Sequence, residues 1–226
     1  MRNPPPQTAS FVSIGPTYSK SRSMTKTPKL ATKRVVFVLG PPGCGKNTQC
    51  RMVAKAFGFM YVSADQLLRN ELQSAGSQYK ARIESYMTDG KVVPGDITCR
   101  LLERYLQSAR KINFLIAGFP KNEENREAWN KATKHKVDVE FILCIECPED
   151  VCMDRCLQRS SSTRNEDFLE ILEKTITTFI TETRPTIAYF ESQRIIHFVN
   201  GNQSKEKVFE QIKKIFESYD IHPVGK

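Results

Sequence analysis

From Val35 onward, five short apolar runs alternate with longer stretches in which apolar residues recur at helical spacing. The runs are "VVFVL" (35–39), "FMYV" (59–62), "INFLI" (112–116), "VEFILCIE" (139–146) and "IIHFV" (195–199). Continuous runs of β-branched and aromatic residues suit strands buried on both faces, which implies a parallel sheet with helices packed against each side. The stretch "KEKVFEQIKKIFESY" places Val208, Ile212, Ile215 and Phe216 on one stripe, as a helix closing the fold requires. The pattern predicts the α/β class, a doubly wound five-stranded parallel sheet with helices on both faces.

About 50 residues separate the second run from the third, more than one crossover helix needs. Asp65 is placed to cap a helix over "QLLRNELQSA", and "SQYKARIESYMTDG" reads as a second helix stopped at Gly90. A small helical insert over residues 63–94 is therefore expected.

Composition divides the chain before Val35. Residues 1–33 are rich in Pro, Ser, Thr and Lys and have no helical or strand period, so they read as a flexible basic extension. A transit peptide is the other reading, although Pro4, Pro5, Pro6, Pro16 and Pro28 obstruct the amphipathic helix it would form. The formal charge is +9, yet residues 1–34 hold seven cations and no acid, leaving 27 cations against 25 acids in the rest. The body thus has no basic excess that would call for nucleic acid. No apolar run approaches the roughly 18 residues of a membrane span.

Seven cysteines, an odd number, suit a reducing compartment, so the cytoplasm is expected, with a mitochondrion or other organelle as the alternative if the extension is a targeting signal. Cys144, Cys147, Cys152 and Cys156 differ in strand parity and helix spacing, which favours buried thiols over a zinc site. Trp129 is expected to pack against the sheet. His135, His197 and His222 share no motif with a nucleophile.

The chemistry-bearing segment is "VVFVLGPPGCGKNTQC", a strand, a glycine-rich turn and a helix beginning near Lys46. Gly40, Gly45 and Lys46 satisfy G-x-x-x-x-G-K. Gly43 and Gly45 let the backbone amides turn inward, the helix N-terminus adds partial positive charge, and Lys46 supplies a mobile cation for β and γ phosphates. Such a nest suits a nucleoside triphosphate. Asn47 stands where most such loops have a Ser or Thr on magnesium, and Thr48 follows, so no protein ligand to the metal is assigned.

"GPPGCGKNTQC", "SADQLLRNEL", "GKVVPGDIT", "GFPKNEENREAW" and "LQRSSSTRNED" occur in the order found in nucleoside monophosphate kinases. From about Val35 to Tyr219 the chain resembles that family, its eukaryotic UMP/CMP kinase branch most of all. The resemblance implies a kinase domain of the P-loop type over residues 34–220, with the 63–94 insert holding the acceptor and a short lid at 159–167. It implies transfer of the γ-phosphoryl group of ATP, with Mg2+ carried by the nucleotide and waters, to a pyrimidine nucleoside monophosphate. Small nucleotides are then the expected partners of a monomeric chain whose extension can dock elsewhere.

Residue by residue, the resemblance places Gly43, Cys44, Gly45, Lys46, Asn47, Thr48, Arg159 and Gln203 at ATP. It places Arg69, Lys91, Val92, Val93, Gly118, Phe119, Pro120, Lys121, Asn125 and Arg164 at the acceptor. Lys46, Arg159 and Arg164 are the expected catalytic cations, since two polyanions must be aligned and the charge on the transferred group met by preorganised donors. Asn125, where similar adenylate kinases place Gln, favours CMP or UMP over AMP.

Several positions depart from the family pattern. Asn47 replaces a glycine, Ala117 an aspartate that organises magnesium and its waters, Lys121 an arginine, Thr175 a helix arginine that meets the transferred group, and Gln66 an acid. A lysine offers a point charge in place of a planar fork. The lid link "SSST" is one residue short and lacks its glycine. Weak or lost transfer on a nucleotide-binding fold is accordingly the alternative, and adenylate kinase the second. Glu146, expected beside the end of the third strand, and Arg184 are the neighbours that stand nearest to substituting.

Overall fold

The computed structural model describes residues 32–134, 136–159 and 166–225. Each apolar run forms a strand: β1 (Lys33–Leu39), β2 (Met60–Ser63), β3 (Asn113–Ala117), β4 (Val137–Glu146) and β5 (Ile196–Asn200). They pair in parallel in the order β2-β3-β1-β4-β5. Strand β1 begins at Lys33, so that residue belongs to the sheet and not to the extension; the remainder of the extension, residues 1–31, lies outside the described residues.

Alternate side chains of each strand enter opposite layers. Val36, Val38, Leu115, Phe141, Leu143 and Val199 pack with helices α1 (Lys46–Phe57) and, by its Val208, Ile212 and Phe216, the C-terminal helix (Lys205–Ser218). Val35, Phe37, Phe114, Ile116 and Ile142 pack on the opposite layer of helices, where Trp129 sits edge-on to Phe37 with ring centroids 5.2 Å apart. Trp129 is thus the sheet-packing residue its spacing implies.

The insert holds α2 (Ala64–Gln73) and α3 (Lys80–Thr88), which meet α4 (Gly95–Ser108) around a separate cluster of Leu68, Ile83, Val93, Ile97 and Leu101. Gly90 takes φ +66° after α3, as a helix stop requires. The cap of α2 differs from the expectation. Ser63 Oγ accepts from the Gln66 amide at 3.3 Å, because β2 runs directly into the helix at Ser63, and Asp65 is left in the first turn with its carboxylate directed elsewhere.

The chain continues through α5 (Glu123–Thr133), α6 (Glu149–Arg159), α7 (Glu166–Thr178), a π-helical turn (Phe179–Thr183), α8 (Arg184–Ser192) and, after β5, the C-terminal helix, α9. Strand β1 is followed by a helix on one face, and its neighbour β3 by α5 on the other. A crevice opens between the ends of two such strands, and ligands of open α/β sheets bind there.

Candidate functional site

The loop after β1 is held in shape by close backbone approach. Gly40, Gly43 and Gly45 have φ of +139°, +83° and +99°. A β-carbon on Gly40 would stand 2.4 Å from the Ile145 carbonyl oxygen, and one on Gly43 only 2.2 Å from that of Cys152. Only glycine fits at either position. The loop delivers Gly45 to the N-terminus of α1, whose first residues are Lys46 and Asn47. Lys46 Nζ donates to the carbonyl oxygens of Gly40 at 2.6 Å and Pro41 at 2.7 Å, so its charge lies across the mouth of the nest.

One side of this loop faces a pocket of about 220 Å³ lined by Gly43, Cys44, Gly45, Thr48, Gln49, Arg155 and Gln203, among others. Gln203 and the loop, 158 positions apart in Gly45 and Gln203, are therefore brought to one concavity, while Asn47 points to solvent. Arg155 has no motif in the sequence to mark it. It reaches this pocket because α6 runs beside the turn after β5, where Arg155 Nη1 donates to the Gly201 carbonyl at 3.0 Å. Gln49 Nε2 donates to the Lys205 carbonyl at 2.9 Å, while its buried Oε1 has no partner.

The other side is built from β2 and β3. Their register sets Ser63 against Ala117, so α2 and the loop after β3 leave the sheet side by side. Gly118, at φ +75°, donates its amide to the Val38 carbonyl at 3.0 Å, and the Phe119–Pro120 bond is cis. Phe119 is buried against Phe37 and Trp129. Lys121 Nζ then donates to Asp65 Oδ1 at 2.7 Å. Burial pushes the Asp65 carboxyl up, but the charge and hydrogen bond of Lys121, with the charges of Lys46 and Arg69, outweigh it and hold the group below the ordinary carboxylate value. Lys121 is thus the cation that pairs directly with this carboxylate, and the charges of Lys46 and Arg69 act on it as well.

Asn125 is buried in α5 and ties that helix to the insert. Its Nδ2 donates to the Val93 carbonyl at 3.3 Å and to Glu124 Oε2 at 3.1 Å, and its Oδ1 accepts the Lys121 amide at 3.4 Å. Asn125 and Val93 are thereby joined, with the Lys91 side chain turned outward to Asp89 at 2.8 Å. Glu124, which nothing in the sequence marks, accepts the Gly95 amide with both carboxylate oxygens, at 3.0 and 2.9 Å, an anion seated at the N-terminus of α4.

Arg159 is the last residue of α6, and Arg164 with the link 160–165 lies outside the described residues. Ala117 is buried and places no polar group at the end of β3. Thr175 Oγ1 donates back to the Ile171 carbonyl at 2.8 Å within α7. Glu146 is not beside the end of β3: β4 pairs with β1 and β5, because strand order is set by packing and not by chain order. It lines instead a cavity of about 560 Å³ that also meets Pro41, Glu149, Phe179, Arg184 and Glu191. Arg184 Nη2 is there committed to Glu149 Oε1 at 2.9 Å.

Burial pushes the thiols of Cys50, Cys99, Cys144 and Cys152 up to about 12, so each is a neutral packing group. Among the described residues no helix is long and apolar enough to cross a membrane.

A family model described as "Adenylate kinase" matches residues 38–195. The chain is 42% identical over 190 residues to a UMP-CMP kinase of Sus scrofa, covering 81% of this chain and 97% of that protein. Identity to the UMP-CMP kinase of Homo sapiens is 41% over 189 residues, covering 81% and 96%, and to that of Danio rerio 40% over 193 residues, covering 83% and 98%. The family model spans well over half of the chain and the relatives are matched over nearly their whole length, so the chain belongs to the adenylate kinase family.

Proposed function

We propose that this chain is a nucleoside monophosphate kinase that transfers the γ-phosphoryl group of ATP to CMP or UMP, yielding ADP and CDP or UDP. The observation that carries the reading is the glycine nest after β1 with Lys46 across it, beside the Lys121–Asp65 pair that joins the loop after β3 to the insert. A cation at the nest and another at the end of β3 suit two phosphate groups that must meet in line.

The nest fits a polyphosphate, since Gly43 and Gly45 take the positive φ that lets its amides face inward. Gly43, Gly45, Lys46 and Thr48 would hold the ATP phosphates, and Arg155 and Gln203 the side of the pocket nearest the base. Magnesium, travelling with ATP, would spread charge over the β and γ oxygens.

In the reaction the bond from the γ phosphorus to the bridging oxygen of ADP breaks, and a bond to an oxygen of the acceptor phosphate forms. That oxygen is already ionised at neutral pH, so no general base is needed and the protein's part is positioning, charge stabilisation and exclusion of water. Arg69 and Lys121 would hold the acceptor phosphate and Lys46 the transferred group, with Arg159 and Arg164 as further cations for the phosphates. The UMP-CMP kinase names of the relatives support a pyrimidine acceptor. The buried neutral thiols fit a reducing compartment, for which we propose the cytoplasm.

A second reading, a nucleotide-binding protein with weak transfer, is favoured by Ala117 and by the Thr175 hydroxyl tied into its own helix. Coupled ADP release with CMP, UMP, dCMP and AMP tests the two. Turnover with CMP or UMP above AMP supports the first. Background rates with all four, while ATP still binds, support the second.

A further inference from the structure

The end of β3 offers no carboxylate, and the neighbouring strand does. Ala117 is buried, and its register partner Ser63 leads straight into α2, whose first turn carries Asp65. Because Ser63 Oγ takes the capping bond, the Asp65 side chain is released from the helix end and leans over the turn that follows Ala117. A β-carbon on Gly118 would stand 3.3 Å from Asp65 Oδ2, while Oδ1 accepts Lys121 Nζ at 2.7 Å.

A carboxylate paired with Lys121 at the end of β3, beside the end of β1 from which the nest springs, has a definite consequence when phosphates arrive. Lys121 turns to the phosphate oxygens, and Asp65 is left ionised beside a polyanion. Like charges at such distance in a partly dehydrated crevice repel strongly. The repulsion is relieved when a divalent cation stands between the carboxylate and the phosphates, and hard oxygen donors of this kind are what magnesium takes, directly or through its waters.

We propose that Asp65 is the carboxylate that answers the metal ion of magnesium-ATP in this chain, supplied from α2 across the sheet from the position Ala117 leaves apolar. It is a positioning residue: it holds Lys121 before the acceptor binds and receives the metal's hydration shell afterwards. The inference rests on the kinase reading above and names a group that reading does not use.

Calorimetric titration of a non-hydrolysable ATP analogue, with CMP present, in magnesium and in EDTA tests it without turnover. In the unaltered protein magnesium tightens binding. In Asp65→Asn, binding in EDTA becomes equal or tighter, because a negative charge is gone, and the gain from magnesium shrinks by about tenfold, the scale of one charge-assisted interaction. Asp65→Ser gives the same reading if the first variant does not fold. Adding Ala117→Asp to Asp65→Asn restores part of the magnesium gain. An unchanged magnesium gain in both Asp65 variants overturns the proposal and leaves the kinase reading standing. Failure of the unaltered protein to bind either nucleotide overturns both.

Discussion

The carbonyl oxygen of Cys152 lies 2.2 Å from where a β-carbon on Gly43 would stand, at a loop residue with φ +83°. Helix α6 is therefore packed directly onto the glycine nest, and the two cannot move independently. Gly43→Ala adds both a strained backbone and a clash with main chain, an expected loss of about 2 kcal/mol or more, or about 4–8 °C in thermal midpoint. Gly45 meets nothing within 4 Å, so Gly45→Ala bears the φ cost alone. Differential scanning fluorimetry of the pair should show the larger drop for Gly43→Ala, with weaker binding of an ATP analogue.

Asn125→Ala removes the partner of the Val93 carbonyl and of the Lys121 amide together. Burial without partners costs about 1–3 kcal/mol per group. The segment on which the acceptor base is proposed to lie loosens, so KM for CMP should rise by about tenfold or more while KM for ATP moves less. Steady-state kinetics with each substrate varied separately check this, and equal changes in both would argue against an acceptor role.

Buried thiols near 12 are protonated and shielded at ordinary pH. Cys50, Cys99, Cys144 and Cys152 should resist alkylation at pH 8 in the folded protein and react after denaturation. Peptide mapping of iodoacetamide adducts reads this directly. Rapid labelling of Cys50 in the native state would contradict the packing of α1 on the sheet.

The Asp65 carboxyl is held below its ordinary value of 3.8. A depressed carboxyl stabilises the fold above the unfolded value, and that contribution is lost as pH falls through the folded value. Acid unfolding of the unaltered protein should therefore include a component below about pH 4 that Asp65→Asn lacks. Midpoints that track together at every pH would mean the Lys121 contact is not formed in solution.

If Ala117 and Thr175 depress the rate, Ala117→Asp with Thr175→Arg should raise kcat. A single donor to the transferred group is typically worth about 100- to 1,000-fold, so even partial success should exceed about tenfold. Stopped-flow or coupled assays of the double variant decide it; no rise would mean the phosphoryl group is met by other cations.

The strands were legible because each is a continuous apolar run, and a run of that kind does not depend on what packs against it. The phosphate loop was legible for a related reason: its glycines are needed locally, by the positive φ of the turn. Asp65 was not. An acid ahead of a helical stretch reads as a cap, and only the point at which β2 ends shows that Ser63 already fills that role. The signal available in sequence was the spacing of Asp65 and Arg69, four apart and so on one helical face. Arg155 and Glu124 were equally hidden, since one reaches the pocket through the turn at Gly201 and the other is placed by the start of α4. Glu146 was misplaced because chain order does not dictate strand order.

The acceptor panel remains the most direct measurement of the central claim. With ATP and magnesium at saturation, ADP release should be fastest with CMP or UMP and clearly slower with AMP. Preference for AMP, or background release with every acceptor from a protein that still binds ATP, would contradict it.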